Sequence, residues 1–233
     1  MTGLLLSLGS HDVLAADSRG QVAGRANVAP ESVIEICDLA KQAFEQDTRA
    51  IAEVFARDTD FIIGASRPRA AQALLDHASV DLRSVRVTWL QLPFDRDALK
   101  RGYGMPWFPV IDRSRCTGCG TCADYCLFSV YTAKEDQPPN EKIRVTMPQY
   151  CKIGCPACAR LCPTGALIFP FCHEPELNGE IADPPQRTQQ DALAALGEDP
   201  MRILAERRTK RRLIDPAKFD QAEQDRITFS GVL

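Results

Sequence analysis

The chain has no apolar run reaching about eighteen residues, so no segment qualifies as a membrane-spanning helix. It also lacks a dominant charge. The 28 basic and 31 acidic residues leave a formal net charge of −3, too small for a field that would attract nucleic acid or a membrane surface. Neither G-x-G-x-x-G nor G-x-x-x-x-G-K-[ST] occurs, so nucleotide binding has no support. There are only 3 histidines, and His11 and His77 have no metal-binding neighbours in sequence. The start, "MTGLLLSLGSHDVLAADS", lacks a basic leading region, and Ser7, Gly9 and Ser10 interrupt its apolar stretch. A cleavable signal normally has both a charged start and a longer apolar run, so a cytoplasmic protein is expected.

What the chain does have is cysteine. Ten are present: Cys37, eight between Cys116 and Cys162, and Cys172. Disulfide-stapled secreted domains spread their cysteines, whereas clustering in a chain that reads as cytosolic points to metal.

The remainder of the sequence divides into three regions. Residues 1–103 read as a small α/β domain. "GLLLSLG" and "DFIIGAS" suit buried strands, and "VRVTWLQL" suits a third. Between them, residues 30–47 place Val33, Cys37, Ala40 and Phe44 on one helical face, with Cys37 expected to be a buried apolar-like residue. Ile51, Val54 and Phe55 mark another helix, and "RPRAAQALLDHAS" a further one with Pro68 near its start. Strands alternating with helices imply a parallel sheet. "KRGYGMPWFP" at residues 100–109 is the expected boundary. Residues 104–175 hold the cysteine runs, and residues 176–233 read as an extended or helical carboxy-terminal arm. Its basic stretch "ERRTKRR", residues 206–212, is either a solvated face or a docking arm for an acidic partner.

The first run is Cys116-x2-Cys119-x2-Cys122-x3-Cys126, and the second is Cys151-x3-Cys155-x2-Cys158-x3-Cys162-Pro163. Zinc would use two knuckles and leave the other cysteines without a reason. A [4Fe–4S] cubane explains three ligands from one tight loop and a fourth from elsewhere. The eight cysteines with Pro163 resemble bacterial-type two-cluster ferredoxins. That resemblance implies two [4Fe–4S] clusters, one on Cys116, Cys119, Cys122 and Cys162 and the other on Cys151, Cys155, Cys158 and Cys126. It also implies an entering strand in "VIDRSRC", a closing strand in "GALIFP", and glycines at 118 and 120 that bring amides toward sulfur. The intervening "YTAKEDQPPNEKIRVTMP" reads as a hairpin with its polar tip at residues 136–140.

Two positions depart from that family's pattern. Leu127 stands where proline is usual, and the second run opens with three intervening residues rather than two. Gly154 has to absorb the extra one; otherwise that site would hold [3Fe–4S] or a labile cluster. Before cluster charge is counted, residues 104–175 carry seven basic and six acidic residues, with Arg115, Lys152 and Arg160 as cations available to offset an added electron. "GASRPRA" weakly resembles a segment of heterodisulfide-reductase-type iron–sulfur subunits, with Ser66 in place of a cysteine.

The implied function is electron transfer to or from a partner oxidoreductase, with no catalytic residues in the chain itself. The rivals are a reductase subunit with a substrate pocket at the α/β domain, and a structural or redox-sensing interaction protein.

Overall fold

The computed structural model describes residues 1–9, 14, 16–95, 97 and 105–186. His11, most of the carboxy-terminal arm and the basic stretch 206–212 lie outside the described residues.

Four strands form a parallel sheet in the order β2-β1-β3-β4: β1 Thr2–Leu6, β2 Ile34–Ile36, β3 Asp60–Ala65 and β4 Arg86–Gln91. Alternation along the central strands feeds two cores. Leu4, Leu6, Phe61 and Ile63 turn to the face covered by α2 Leu39–Glu45, α3 Arg49–Phe55 and α4 Pro68–His77. Leu5 and Ile62 turn to the other face, where α1 Ser18–Ala26 packs through Val22, Ala23 and Ala26. Gly64 permits that contact, since a Cβ there would lie 2.4 Å from Val22 Cγ2. The parallel sheet expected from sequence is therefore present. So are the strands at "GLLLSLG", "DFIIGAS" and "VRVTWLQL", and the helices carrying Ile51 and Pro68.

The continuous helix expected over residues 30–47 is not. Pro30–Ser32 is a 3₁₀ turn, Ile34–Ile36 is a strand, and the helix starts only at Leu39 after Asp38, which has φ 52°. The β-branched run Val33-Ile34-Glu35-Ile36 gains more by pairing beside β1, with Val33 facing one core and Ile34 and Ile36 the other. Cys37 then falls after the strand and is exposed, not buried. Helix α1 had no counterpart among the expected elements because its buried stripe is short and mostly alanine.

The cysteine region adds β5 Val110–Ile111, antiparallel to β8 Leu167–Ile168, and a hairpin of β6 Tyr131–Ala133 with β7 Ile143–Val145. The entering and closing strands and the hairpin match the sequence expectation. The hairpin tip contains a helical turn at Pro139–Lys142. Two short helices, Thr121–Tyr125 and Ala157–Leu161, follow the cysteine loops.

All described residues fall in one compact unit, Met1–Gln189. Phe108, Val110 and Ile168 enter the same core as the sheet and α4, and the Phe108 ring lies 5.3 Å from Phe44 and 5.4 Å from His77. Arginines fasten the sheet to the cysteine region. Arg67, fully buried at the end of β3, donates to the Pro170 carbonyl. Arg69 pairs with Asp112 at 2.6 Å, both side chains about nine-tenths buried (9% and 11% exposed), and donates to the Gly165 carbonyl. Arg113 pairs with Asp76 at 2.9 Å and donates to the Asn140 and Ile143 carbonyls.

Removing one partner of a buried pair leaves the other charge uncompensated. Arg69→Met is expected to lower stability by about 3–5 kcal/mol in denaturant unfolding, and Arg69→Met with Asp112→Asn, which removes the unpaired charge and keeps an acceptor for Ser114, to recover part of that loss. A single variant as stable as the parent would show that the pair does not fasten the two regions. His77 offers a pH-dependent counterpart. Burial, the larger cause, and the Arg113 charge hold its imidazole below the ordinary value, although Asp76 opposes them. The unfolded chain therefore binds a proton that the folded chain resists. Stability is highest with His77 neutral and declines as pH falls through about 6.5. The melting temperature should drop less between pH 7.5 and 6.0 in His77→Leu than in the parent.

Candidate metal centres

The eight cysteines of the two runs lie in two neighbourhoods. One is visible as a cavity lined by Cys116, Cys119, Cys122 and Cys162, with Ile111, Ile143, Leu167 and Ala166 behind them. The local sequence explains how these thiols come together. Asp112 Oδ1 accepts from the Ser114 amide at 3.1 Å and the Ser114 hydroxyl at 2.6 Å, while its carbonyl accepts from the amides of Arg115 and Cys116. This turn aims Cys116 inward directly after β5. Gly118 and Gly120 have φ of 69° and 82°, and a Cβ on Gly118 would meet the Pro139 carbonyl oxygen at 2.3 Å. The Gly118 amide donates to the Cys116 sulfur, and the Ala166 amide donates to Cys162 Sγ at 3.2 Å. Cys162 reaches this neighbourhood from the second run because the closing strand β8 pairs with β5.

Cys126, Cys151 and Cys158 pack against the same buried core as Cys116, Cys122 and Cys162, and the charges of Cys155 and Cys126 bear on both Cys151 and Cys158. Gly154 has φ 78° with open space around it, and the Cys155 amide closes a turn onto the Lys152 carbonyl at 3.0 Å. The extra residue is thus carried outward: Ile153 is 84% exposed, while Cys151 stays half-buried. Trp107 roofs this side, donating to the Cys155 carbonyl at 3.5 Å and packing on Phe169 with ring centroids 5.2 Å apart.

Burial is the main influence on these thiols. It pushes Cys151 and Cys158 up to about 12, carries Cys122 well above its ordinary value and raises Cys116. Such thiols stay protonated at neutral pH unless a cation enters among them. Among the described residues, no three or more His, Cys, Asp or Glu side chains converge closely enough to chelate a single ion. A donor set of soft, buried sulfurs, spread in two fours and met by backbone amides, fits a cubane cluster in each neighbourhood.

The cations expected to assist have other partners. Arg115 pairs with Asp183 at 2.5 Å and donates to the Thr164 and Pro184 carbonyls, so it fastens the chain after the second run. Arg160 pairs with Glu174 at 2.5 Å. Lys152 remains exposed. Cys172 is 2% exposed in the core beneath the cysteines and His173 is exposed, so the two do not form a further centre together. Ser66 is buried at the end of β3 beside Arg67. Sequence reading missed Tyr131, whose hydroxyl lies 3.0 Å from Cys158 Sγ. Its only sequence signal was an aromatic residue at the start of the strand after the first run.

Metal loading of these thiols must displace their protons. Reconstitution of the metal-free chain with iron and sulfide in weakly buffered solution should therefore release acid, measurable with a pH indicator.

Comparison with known proteins gives the same reading. The 4Fe-4S dicluster domain family matches residues 115–166. Ferredoxin-3 of Nostoc sp. (strain PCC 7120) is 35% identical over 89 residues, covering 31% of this chain and 87% of that protein. An uncharacterized ferredoxin of Methanocaldococcus jannaschii is 36% identical over 60 residues, covering 26% of this chain and 74% of that protein. No solved structure matches the chain. Among the described residues no helix is long and apolar enough to cross a membrane. Through its cysteine region the chain belongs to the ferredoxins of the 4Fe-4S dicluster type, and its cofactors are two [4Fe–4S] clusters.

Proposed function

We propose that the chain is a one-electron carrier that relays low-potential electrons to or from a partner oxidoreductase. Cys116, Cys119, Cys122 and Cys162 hold one cluster, and Cys126, Cys151, Cys155 and Cys158 hold the other. The observation that carries this reading is that thiols of both runs, Cys122 and Cys158 among them, pack against one buried core, which gives an electron a short path between centres. When bound, each cluster supplies a reversible one-electron couple. The chain's own part is to bury the sulfurs, aim amides at them and exclude water. The sheet domain, fastened by Arg67, Arg69 and Arg113, holds this region and presents it to the partner. The cytoplasm remains the expected compartment.

A second reading has one observation in its favour. A cavity of about 620 Å³ lies between α4, β4 and the first cysteine loop, lined by Trp89, by Arg69, Arg83, Arg113, Arg115 and Arg144, and by the carboxylates of Asp76, Asp81, Asp112 and Glu141. That volume suits a small ligand. A reductase subunit would bind its acceptor there. Saturable turnover of a small polar acceptor by the dithionite-reduced chain, weakened by Trp89→Ala, would favour this reading over simple carriage.

Anaerobically isolated protein should contain about eight iron atoms and give a spin-coupled EPR signal on dithionite reduction. Cys126→Ala and Cys162→Ala should each retain about four, because each removes a ligand from a different cluster. Retention of both centres in either variant would overturn the ligand assignment, and irreversible reduction of fully loaded protein would overturn electron carriage.

A further inference from the structure

One buried hydroxyl is aimed at a sulfur of the second run. Tyr131 begins β6, where pairing with Val145 fixes its backbone, and it is only 8% exposed. Its oxygen lies 3.0 Å from Cys158 Sγ. A sulfur bound to iron has no proton, whereas a phenol keeps its own at neutral pH, so in this pair the phenol is the donor.

The first set of sulfurs has donors of its own. Cys162 receives the Ala166 amide and Cys116 the Gly118 amide, but Cys158 also receives an amide, from Ala159, so backbone donors fall on both sides. The threonine hydroxyls near the first neighbourhood stand further off, at 3.4 Å from Cys119 and 3.7 Å from Cys162, and Cys119 is exposed to solvent.

We propose that the Tyr131 hydroxyl, by donating a hydrogen bond to Cys158, raises the reduction potential of the cluster on Cys126, Cys151, Cys155 and Cys158. A donor on a ligand sulfur draws negative charge from the cluster and so stabilises the reduced state. This rests on the ligand assignment proposed above.

The test is the full chain carrying Tyr131→Phe, which keeps the buried ring and removes only the oxygen. Potentials are read by EPR-monitored redox titration in two backgrounds, each with one cluster left. In Cys162→Ala protein, which keeps the Cys158 centre, Tyr131→Phe should shift the reduction equilibrium about tenfold toward the oxidised form, about 59 mV lower for one electron. In Cys126→Ala protein it should leave the potential in place. Equal shifts in both backgrounds, or none in the first, overturn the proposal. In the parent protein, resonance Raman iron–sulfur stretches should move on transfer to heavy water, and part of that movement should vanish in Tyr131→Phe. If the variant does not load its clusters, a parent spectrum unmoved by heavy water overturns the proposal. A parent protein without reversible reduction at full iron loading would instead refute electron carriage, a result distinct from these.

Discussion

All the sulfurs of the two cysteine runs except Cys119 are at least partly withdrawn from water, and Arg115 and Arg160, which could offset a thiolate, are engaged elsewhere. Burial raises Cys116, Cys122, Cys151 and Cys158, and the nearby arginines have carboxylates and carbonyls of their own. The positive charge that makes this arrangement tolerable has to come from iron. Folding of the cysteine region and assembly of its cofactors are therefore one thermodynamic event. The short strands and helices around the loops are too small to be stable alone, which makes that coupling stronger.

The second constraint is the fastening of this region to the parallel sheet. A two-residue pairing such as Val110–Ile111 with Leu167–Ile168 would be marginal by itself. Here it is backed by α4, with Val110 and Ile168 sharing the core of the sheet. Arg69 extends from the start of α4 to both Asp112 and Gly165, the residues that lead out of β5 into the first cysteine loop and out of the second loop toward β8. One side chain thus holds together the two ends of the cluster-bearing segment. The sheet acts as a platform for the redox centres as well as an adjoining domain.

The extra residue between Cys151 and Cys155 illustrates how local geometry preserves a distant site. A positive φ at Gly154 and an outward Ile153 lengthen the loop without moving its two sulfurs out of their neighbourhood. The result is an exposed apolar side chain beside one cluster and a solvent-exposed sulfur, Cys119, beside the other. The two ends of the electron path therefore present different surfaces.

The cysteine spacing alone announced the cofactor, because three ligands in a tight loop is a local property of the chain. The parallel sheet was legible for a similar reason: runs such as Phe61-Ile62-Ile63 are apolar on both faces and are short enough to be strands. The fate of Val33–Cys37 was not legible, since the same residues satisfy a helical stripe and a strand, and only pairing with β1 decides between them. Nor could spacing show that Arg115 would fasten Asp183 rather than face a cluster, or that Tyr131 would reach Cys158. Those contacts join residues 68 and 27 positions apart. Sequence thus determined the kind of cofactor, because ligand type and loop length are written locally. Tertiary structure alone decided which charges and hydroxyls surround those atoms, because that depends on long-range packing that no local pattern encodes.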